Sequence, residues 1–435
     1  MGSQIHPHSL RRAYRAIARW IPTWRPGKLA QHGGVLLGWM LLRAGAQIAT
    51  VILLARSLGA GPYGAFVAIV AIASFVVPLV GLGLSNIVLR NGARDPTHLP
   101  QYFARAARVW RFTLFPSALL AFALACWLLP PGLPIPAMLA AISAELAASA
   151  LTELRARQHQ AQHRINAFGA INAGLPLMRL LALGLLILFT GQTSLADALW
   201  AYVVASLAYL VLLMPGLRTP PATLRSAPTE AMPLRSGLPF CMSALAMRMQ
   251  GEFNKPILMQ AGYGLAGSYN IAQRAVEMAS LPLLALQESL WSRLYAQSNP
   301  ITQLRRTGLA LLALALLLGC GLWLSAPLLR WVVGPGYDDA IAVLRLLAWL
   351  PMLQVGRSLL NFRVIHHGRM SLIGWASALG GVTSVLGVLA LVPRFGMSGA
   401  VAASYAAEIV MVAFLLLAAR RLAHGNPPDA RHVDA

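Results

Sequence analysis

Ionisable side chains recur inside the apolar segments of this sequence, where they are costly to place. A charge at the centre of a bilayer costs at least about 2.5 kcal/mol, so such groups face a protein interior or a water-filled cavity. Arginine suits phosphate there, because its planar fork binds two oxygens at once. A carboxylate at that depth can pair with arginine or carry a coupled proton or cation. The set comprises Arg43, Glu145, Arg179, Arg248, Glu252, Lys255, Arg274, Glu277, Glu288, Arg345, Arg357 and Glu408.

The densest group lies near residue 250. Arg248, Glu252 and Lys255 follow i, i+4, i+7 spacing and therefore share one face of a helix. The next apolar segment repeats this spacing with Asn270, Arg274 and Glu277. We expect the two polar stripes to oppose each other across a cavity. Pairing of each arginine with the acid of its own helix is an alternative that the spacing leaves open.

The basic members of the set outnumber the acidic ones, so we predict a cavity that favours an anionic substrate. The predicted substrate-binding residues are Arg43, Arg179, Arg248, Lys255 and Arg274. The candidates for ion coupling are Glu252, Glu277, Glu145 and Glu408, and the last two can also serve as buried partners for arginine. Arg345 and Arg357 lie toward opposite ends of one segment, and snorkelling to the interfaces explains them as well.

These side chains require a membrane-spanning scaffold. The chain is 57% hydrophobic and 11% charged, whereas a soluble protein is about 25% charged. A bilayer core about 30 Å thick needs about 20 consecutive apolar residues per helix. The apolar segments are 34–55, 64–89, 109–129, 133–154, 166–190, 195–216, 237–260, 266–290, 308–331, 341–361, 371–392 and 397–419. The predicted fold class is an all-α polytopic membrane protein with about twelve transmembrane helices in two pseudo-symmetric six-helix bundles around a central cavity.

The net charge of +22 orients the chain, because loops on the cytoplasmic side collect Lys and Arg. Basic residues outside the segments crowd into both tails and the even-numbered connections. The odd-numbered connections hold only Arg56, Arg330 and Arg394. Omitting segment 237–260 would invert the predicted orientation of every later segment and destroy the charge pattern. This charged segment is therefore predicted to span the membrane. We therefore expect an inner-membrane protein with both termini in the cytoplasm, and no nucleic-acid partner because no soluble domain could host one.

The sequence divides into two related halves. We predict a basic N-terminal tail (1–33), a first bundle (34–216), a Pro/Ser/Thr-rich linker (217–236), a second bundle (237–420) and a C-terminal tail (421–435). At one constant separation along the chain, the first half matches the second in the pairs Gly59/Gly262, Gly61/Gly264, Gly64/Gly267 and Phe66/Tyr269. Arg43 maps to within about two residues of Arg248. Internal duplication of this kind is typical of transporters.

Other patterns bear on partners and chemistry. Leu10, Tyr14, Ile17 and Trp20 recur at helical spacing among arginines, which indicates either a basic amphipathic helix on the cytoplasmic leaflet or a solvated tail. The sequence contains no phosphate-binding G-x-x-x-x-G-K-[ST] loop and no His/Cys cluster that suggests a metal. We therefore expect no cofactor. The outer connections are short, so no catalytic domain is expected and the protein is not predicted to be an enzyme.

The best-defined motif covers residues 53–66, which read LLARSLGAGPYGAF and are followed by GLGL at 81–84. It resembles the opening of the polysaccharide flippases in the multidrug/oligosaccharidyl-lipid/polysaccharide exporter superfamily. Further similar stretches are LAGSY at 265–269, GYDDA at 336–340 and GMSGAVAA at 396–403. The resemblance implies a V-shaped pair of bundles around a central cavity. In length and helix count the chain is similar to the O-antigen (Wzx-type) branch.

The resemblance also implies a function. Such proteins move an undecaprenyl-diphosphate-linked oligosaccharide to the outer leaflet by alternating access, with cavity arginines meeting the diphosphate. By position, Arg43, Arg248 and Arg274 match those arginines. Membrane lipids and a polysaccharide polymerase are the further partners expected. The alternatives are a drug or cation exporter of the same superfamily, which usually relies on an acidic cavity, and a membrane polymerase or ligase that acts on the same lipid carrier.

Overall fold

The structure is a computed structural model that describes residues 28–191, 193–214, 232–287, 300–366, 369 and 371–424. The regular elements of this part of the chain are all helices. The expected amphipathic helix of the N-terminal tail, most of linker 217–236, Glu288 and most of the C-terminal tail lie outside the described residues. The predicted boundaries of the tails and the linker therefore remain predictions.

Helices occupy all twelve predicted positions. The first half comprises α1 (Lys28–Leu58), α2 (Ala60–Val76), α3 (Leu84–Arg94), α4 (Leu99–Leu128), α5 (Ile135–Ala161), α6 (Ile165–Thr190) and α7 (Leu195–Leu213). The second half comprises α8 (Leu238–Glu252), α9 (Asn254–Ala261), α10 (Tyr263–Ala279), α11 (Pro300–Ser325), α12 (Leu329–Val333), α13 (Asp338–Leu347), α14 (Leu350–His366) and α15 (Ser371–His424). The all-α prediction is confirmed.

Nine helical stretches in the described part of the chain are long and apolar enough to cross a membrane. The last of them, Ser371–Leu422, contains two predicted segments, because Gly396 leaves the helical conformation at φ 55° and Ala403 packs beside Gly387. Large side chains such as Phe115 and Phe189 are exposed on these stretches, as expected where a surface meets lipid. The chain is a multi-pass membrane protein.

Several predicted segments are not single helices. Segment 237–260 is divided into α8 and α9 at Phe253, and segment 341–361 into α13 and α14. In each case a proline follows the break, Pro256 or Pro351, and its missing N–H cannot bond the carbonyl four residues before it. Segment 64–89 was predicted as one span and is not one. A turn at Gly81–Gly83 with positive φ angles separates α2 and a 3₁₀ segment (Val77–Leu79) from α3.

The two halves cross where α2 meets α10. A Cβ added to Gly64 would lie 1.8 Å from the carbonyl oxygen of Tyr263, and a Cβ on Gly267 would lie 3.3 Å from that of Ala60. Gly267 is the repeat equivalent of Gly64, and Tyr263 is the equivalent of Ala60, so the two contacts are reciprocal. Only glycine permits the backbones to approach this closely. The predicted pseudo-symmetry therefore has a physical centre at this crossing.

Candidate functional site

A central cavity of about 430 Å³ lies between helices of both halves, mainly α1, α2, α5 and α6 on one side and α8 to α10 on the other. All five predicted substrate-binding residues line it: Arg43, Arg179, Arg248, Lys255 and Arg274. The predicted coupling residues Glu145 and Glu252 line it too. Glu277 and Glu408 are not among the lining residues that the structure describes. Among the described residues, Arg157 brings the lining bases to six, and Glu153 brings the acids to three.

The sequence interpretation missed Glu153 and Arg157. The structure places both on α5, which extends beyond the predicted end of the fourth segment at residue 154. Glu145, Ser149, Glu153 and Arg157 recur at four-residue spacing and form one stripe along this helix. This spacing is the signal that could have identified the pair.

In the first half, Glu145 is the centre of a closed network. The carboxylate is 5% exposed and lies 2.6 Å from Nη2 of Arg179. It also accepts hydrogen bonds from Tyr202 Oη at 2.5 Å and Ser149 Oγ at 2.6 Å. Arg179 donates from Nε to Ser206 Oγ and stacks over the Tyr202 ring at 4.1 Å. Arg179 on α6 is therefore bound to neighbours on two other helices, α5 and α7, and the network has no net charge.

In the second half, Glu252 is shared among several bases. Its Oε2 is 2.6 Å from Nζ of Lys255, whose side chain is 2% exposed. Its Oε1 is 3.9 Å from Nη1 of Arg248 and 3.9 Å from Nη2 of Arg274. Arg274 also pairs with Glu277 at 2.8 Å. Three bases thus face two acids, so positive charge remains on this side of the cavity.

These distances support both interpretations of the two polar stripes, contact between the stripes and pairing within each helix. The intrahelical pair Arg274–Glu277 is close, at 2.8 Å, whereas Arg248–Glu252 is only 3.9 Å. The contact between Glu252 and Arg274 joins α8 to α10, so the stripes also meet each other across the cavity wall. Intrahelical neutralisation is therefore incomplete for Arg248, whose side chain is 45% exposed.

Arg43 completes the positive region from the other half. It is exposed within the cavity, and it has no ion pair among the described residues. Arg248 and Arg274 are near enough to repel it. Three guanidinium groups from α1, α8 and α10 therefore converge without full neutralisation. Because like charges in a region of low dielectric repel strongly, an anion bound among them would be stabilised.

The remaining predicted acid, Glu408, lies within the second bundle. Its Oε2 is 2.8 Å from Nε of Arg357, which joins α14 to α15. This geometry matches the alternative in which Glu408 is a buried partner for arginine. Arg345 stacks over Trp323 at 5.1 Å.

The two halves also contact each other outside the cavity lining. On the side predicted to face outward, Arg56 at the end of α1 donates to the carbonyls of Trp331 and Val332 at 2.6 and 2.8 Å. Tyr337 donates to the carbonyl of Ala55 at 2.9 Å. On the opposite side, the turn at Gly83 packs against Gly237. A Cβ added to Gly83 would lie 2.4 Å from the carbonyl oxygen of Gly237.

In this fold, two helical bundles cross at paired glycines and surround a charged cavity. The same fold occurs in an inward-facing multidrug resistance MATE family transporter of the MOP superfamily, with a TM-score of 0.67, 15% identity, and coverage of 90% of this chain and 98% of that chain. It also occurs in the lipid II flippase MurJ in an inward closed conformation, with a TM-score of 0.66, 10% identity, and coverage of 88% and 87%.

An outward-facing MATE transporter of the same superfamily matches with a TM-score of 0.58 at 15% identity, covering 90% of this chain and 94% of that chain. No protein-family model and no curated protein match the sequence. At these identities the likeness concerns the fold.

Proposed function

We propose that this protein is a flippase that moves an undecaprenyl-diphosphate-linked oligosaccharide across the inner membrane for the synthesis of a surface polysaccharide such as O-antigen. The observation that carries the proposal is the convergence of Arg43, Arg248 and Arg274 in one cavity. A diphosphate offers several oxygens to these guanidinium groups and supplies the negative charge that the site lacks. A solved structure of this fold is a lipid II flippase, which supports a lipid substrate.

The position of the arginines provides a mechanism. Arg43 belongs to the first half, whereas Arg248 and Arg274 belong to the second. Without a bound anion, the repulsion between these charges pushes the two halves apart. A bound diphosphate removes this repulsion and favours conformations in which both halves contact it. A ligand shifts a conformational equilibrium only by its differential affinity for the two states. We propose that transport follows alternating access, driven by an ion gradient or by consumption of the product.

A drug or cation exporter is the second candidate, since multidrug transporters share the fold. The cavity charge separates the two candidates. Six lining bases against three acids attract anions and disfavour organic cations. An exporter of cations would rely on Glu153, the lining carboxylate that has no ion pair among the described residues.

Complementation of a deletion strain tests the proposal. We expect Arg43→Ala, Arg248→Ala and Arg274→Ala to abolish or greatly reduce surface polysaccharide, as measured by gel analysis of the glycan at matched expression levels. Arg→Lys variants should recover only part of the export, because lysine keeps the positive charge but lacks the planar guanidinium that binds two oxygens at once. Arg330→Ala is the matched control, since this arginine is exposed outside the cavity.

Normal export by all three alanine variants would exclude the arginine site. Hypersensitivity of the deletion strain to cationic dyes, with unchanged polysaccharide, would instead favour the exporter.

A further inference from the structure

Part of the cavity wall carries polar groups that the arginine site does not use. On α5, Ser149, Thr152 and Glu153 line the cavity, and Asn172 lines it from α6. Since a helix rises about 1.5 Å per residue, Glu153 lies about 12 Å along α5 from Glu145. This wall carries Arg157 one turn beyond Glu153, and it is less basic than the wall formed by α8 and α10, which carries Arg248 and Arg274.

Glu153 is the most informative group on this wall. Its side chain is exposed to the cavity, and within the described chain it makes no ion pair although the cavity contains six bases. One oxygen accepts a hydrogen bond from Ser85 Oγ at 3.1 Å. A carboxylate offers about four acceptor positions, so most of its capacity is available to a ligand. Asn172 donates to the Phe168 carbonyl at 2.9 Å, which leaves its own carbonyl oxygen free to accept.

A smaller side pocket of about 80 Å³ adjoins this wall. Glu153 and Arg248 border both cavities, so the side pocket lies next to the arginine site. Its other walls include Ser85, Trp110 and Phe240. Trp110 is 5% exposed, and its buried Nε1 donor makes no hydrogen bond within the described part of the chain. The pocket has room for a few water-sized groups and is lined by both donors and acceptors.

We propose that Glu153, Asn172 and the side pocket form a subsite for the sugar joined to the diphosphate, and that this sugar is neutral and rich in hydroxyls. The inference rests on the proposed function. Because Arg248 borders both cavities, a sugar attached to a diphosphate at the arginines reaches Glu153 directly. Each sugar hydroxyl both donates and accepts, so it can pair with the carboxylate of Glu153, the amide of Asn172 and the hydroxyl of Ser85. An acidic sugar is disfavoured, since Glu153 repels a second carboxylate.

Binding of defined lipids to the purified full-length protein tests the subsite. The probes are undecaprenyl diphosphate, the same lipid bearing N-acetylglucosamine, and the same lipid bearing glucuronic acid. We expect the wild-type protein to bind the N-acetylglucosamine lipid about tenfold more tightly than either of the others. Glu153→Ala should abolish this preference and leave the affinity for undecaprenyl diphosphate unchanged. Glu153→Gln, which keeps an acceptor, should retain part of the preference and reduce the discrimination against glucuronic acid.

The matched control is Gln158→Ala, a change on the same helix outside the cavity lining, which should leave all three affinities unchanged. Arg43→Ala should weaken all three lipids equally. If the wild type shows no preference for the neutral sugar, or if Glu153→Ala weakens all lipids alike, the subsite is wrong while the proposed function stands. If the wild type binds none of the lipids, or if Arg43→Ala has no effect on them, the proposed function itself fails.

Discussion

Two carboxylates of low exposure, one in each half, line the same cavity in opposite electrostatic settings. Glu145 has one base and two hydroxyls in direct contact, and its base is held in turn by Ser206 and the Tyr202 ring. Glu252 has one base in direct contact and two more at 3.9 Å. The first half therefore presents a neutral unit, and the second half presents an excess of positive charge.

This difference divides the predicted substrate-binding residues into those already paired with a carboxylate and those with donors available to a ligand. Arg179 and Lys255 line the cavity, yet each is bound tightly to a carboxylate at 2.6 Å. Arg43 and Arg248 remain available, and Arg274 divides its contacts between Glu277 and Glu252. Lining a cavity is thus a weaker criterion for substrate contact than having donors that no neighbour uses. We propose structural roles for Arg179 and Lys255 and substrate contact for the other three.

The largest stability effect is expected from Glu145→Ala. It leaves the Arg179 charge buried without its partner, which costs about 3–5 kcal/mol. Thermal unfolding of the purified protein in detergent measures the loss. The double variant Glu145→Ala/Arg179→Met should recover much of the stability, because it removes both charges. A single variant as stable as the wild type would show that the network is not structural.

Lys255→Met should cost less, about 1–3 kcal/mol. The substitution removes the closest partner of Glu252 and keeps similar volume, while Arg248 and Arg274 at 3.9 Å can move toward the carboxylate. The same unfolding assay applies, with Lys255→Arg as the charge-conserving control. A loss as large as that of Glu145→Ala would contradict the excess of bases around Glu252.

Arg43→Ala should have the smallest effect on stability, within about 0.5 kcal/mol. It removes an exposed side chain that has no ion pair among the described residues and that Arg248 and Arg274 repel. Unfolding temperature and lipid binding measured on one preparation separate stability from function. Marked destabilisation would mean that Arg43 has a structural role, and the comparison between the two halves would need revision.

Local spacing predicted much of this arrangement. The i, i+4, i+7 pattern of Arg248, Glu252 and Lys255 identified three cavity residues, although the structure divides them between α8 and α9. The repeated glycines indicated the relation between the halves. The pairing of Glu145 with Arg179 depends on how α5 and α6 rotate against each other, which local spacing does not determine. The contacts of Arg56 with Trp331 and Val332 join the two halves across the chain, and they involve backbone carbonyls that no residue type reveals.

The glycine crossing has a consequence for the origin of this asymmetry. Contacts of Gly64 with Tyr263 and of Gly267 with Ala60 are what two identical chains produce when they meet on a two-fold axis. In such a homodimer every substitution appears twice, so a neutral wall could not face a basic one. Joining the copies into one polypeptide removes this constraint. One wall of the cavity can then be basic while the equivalent wall of the other half is neutral.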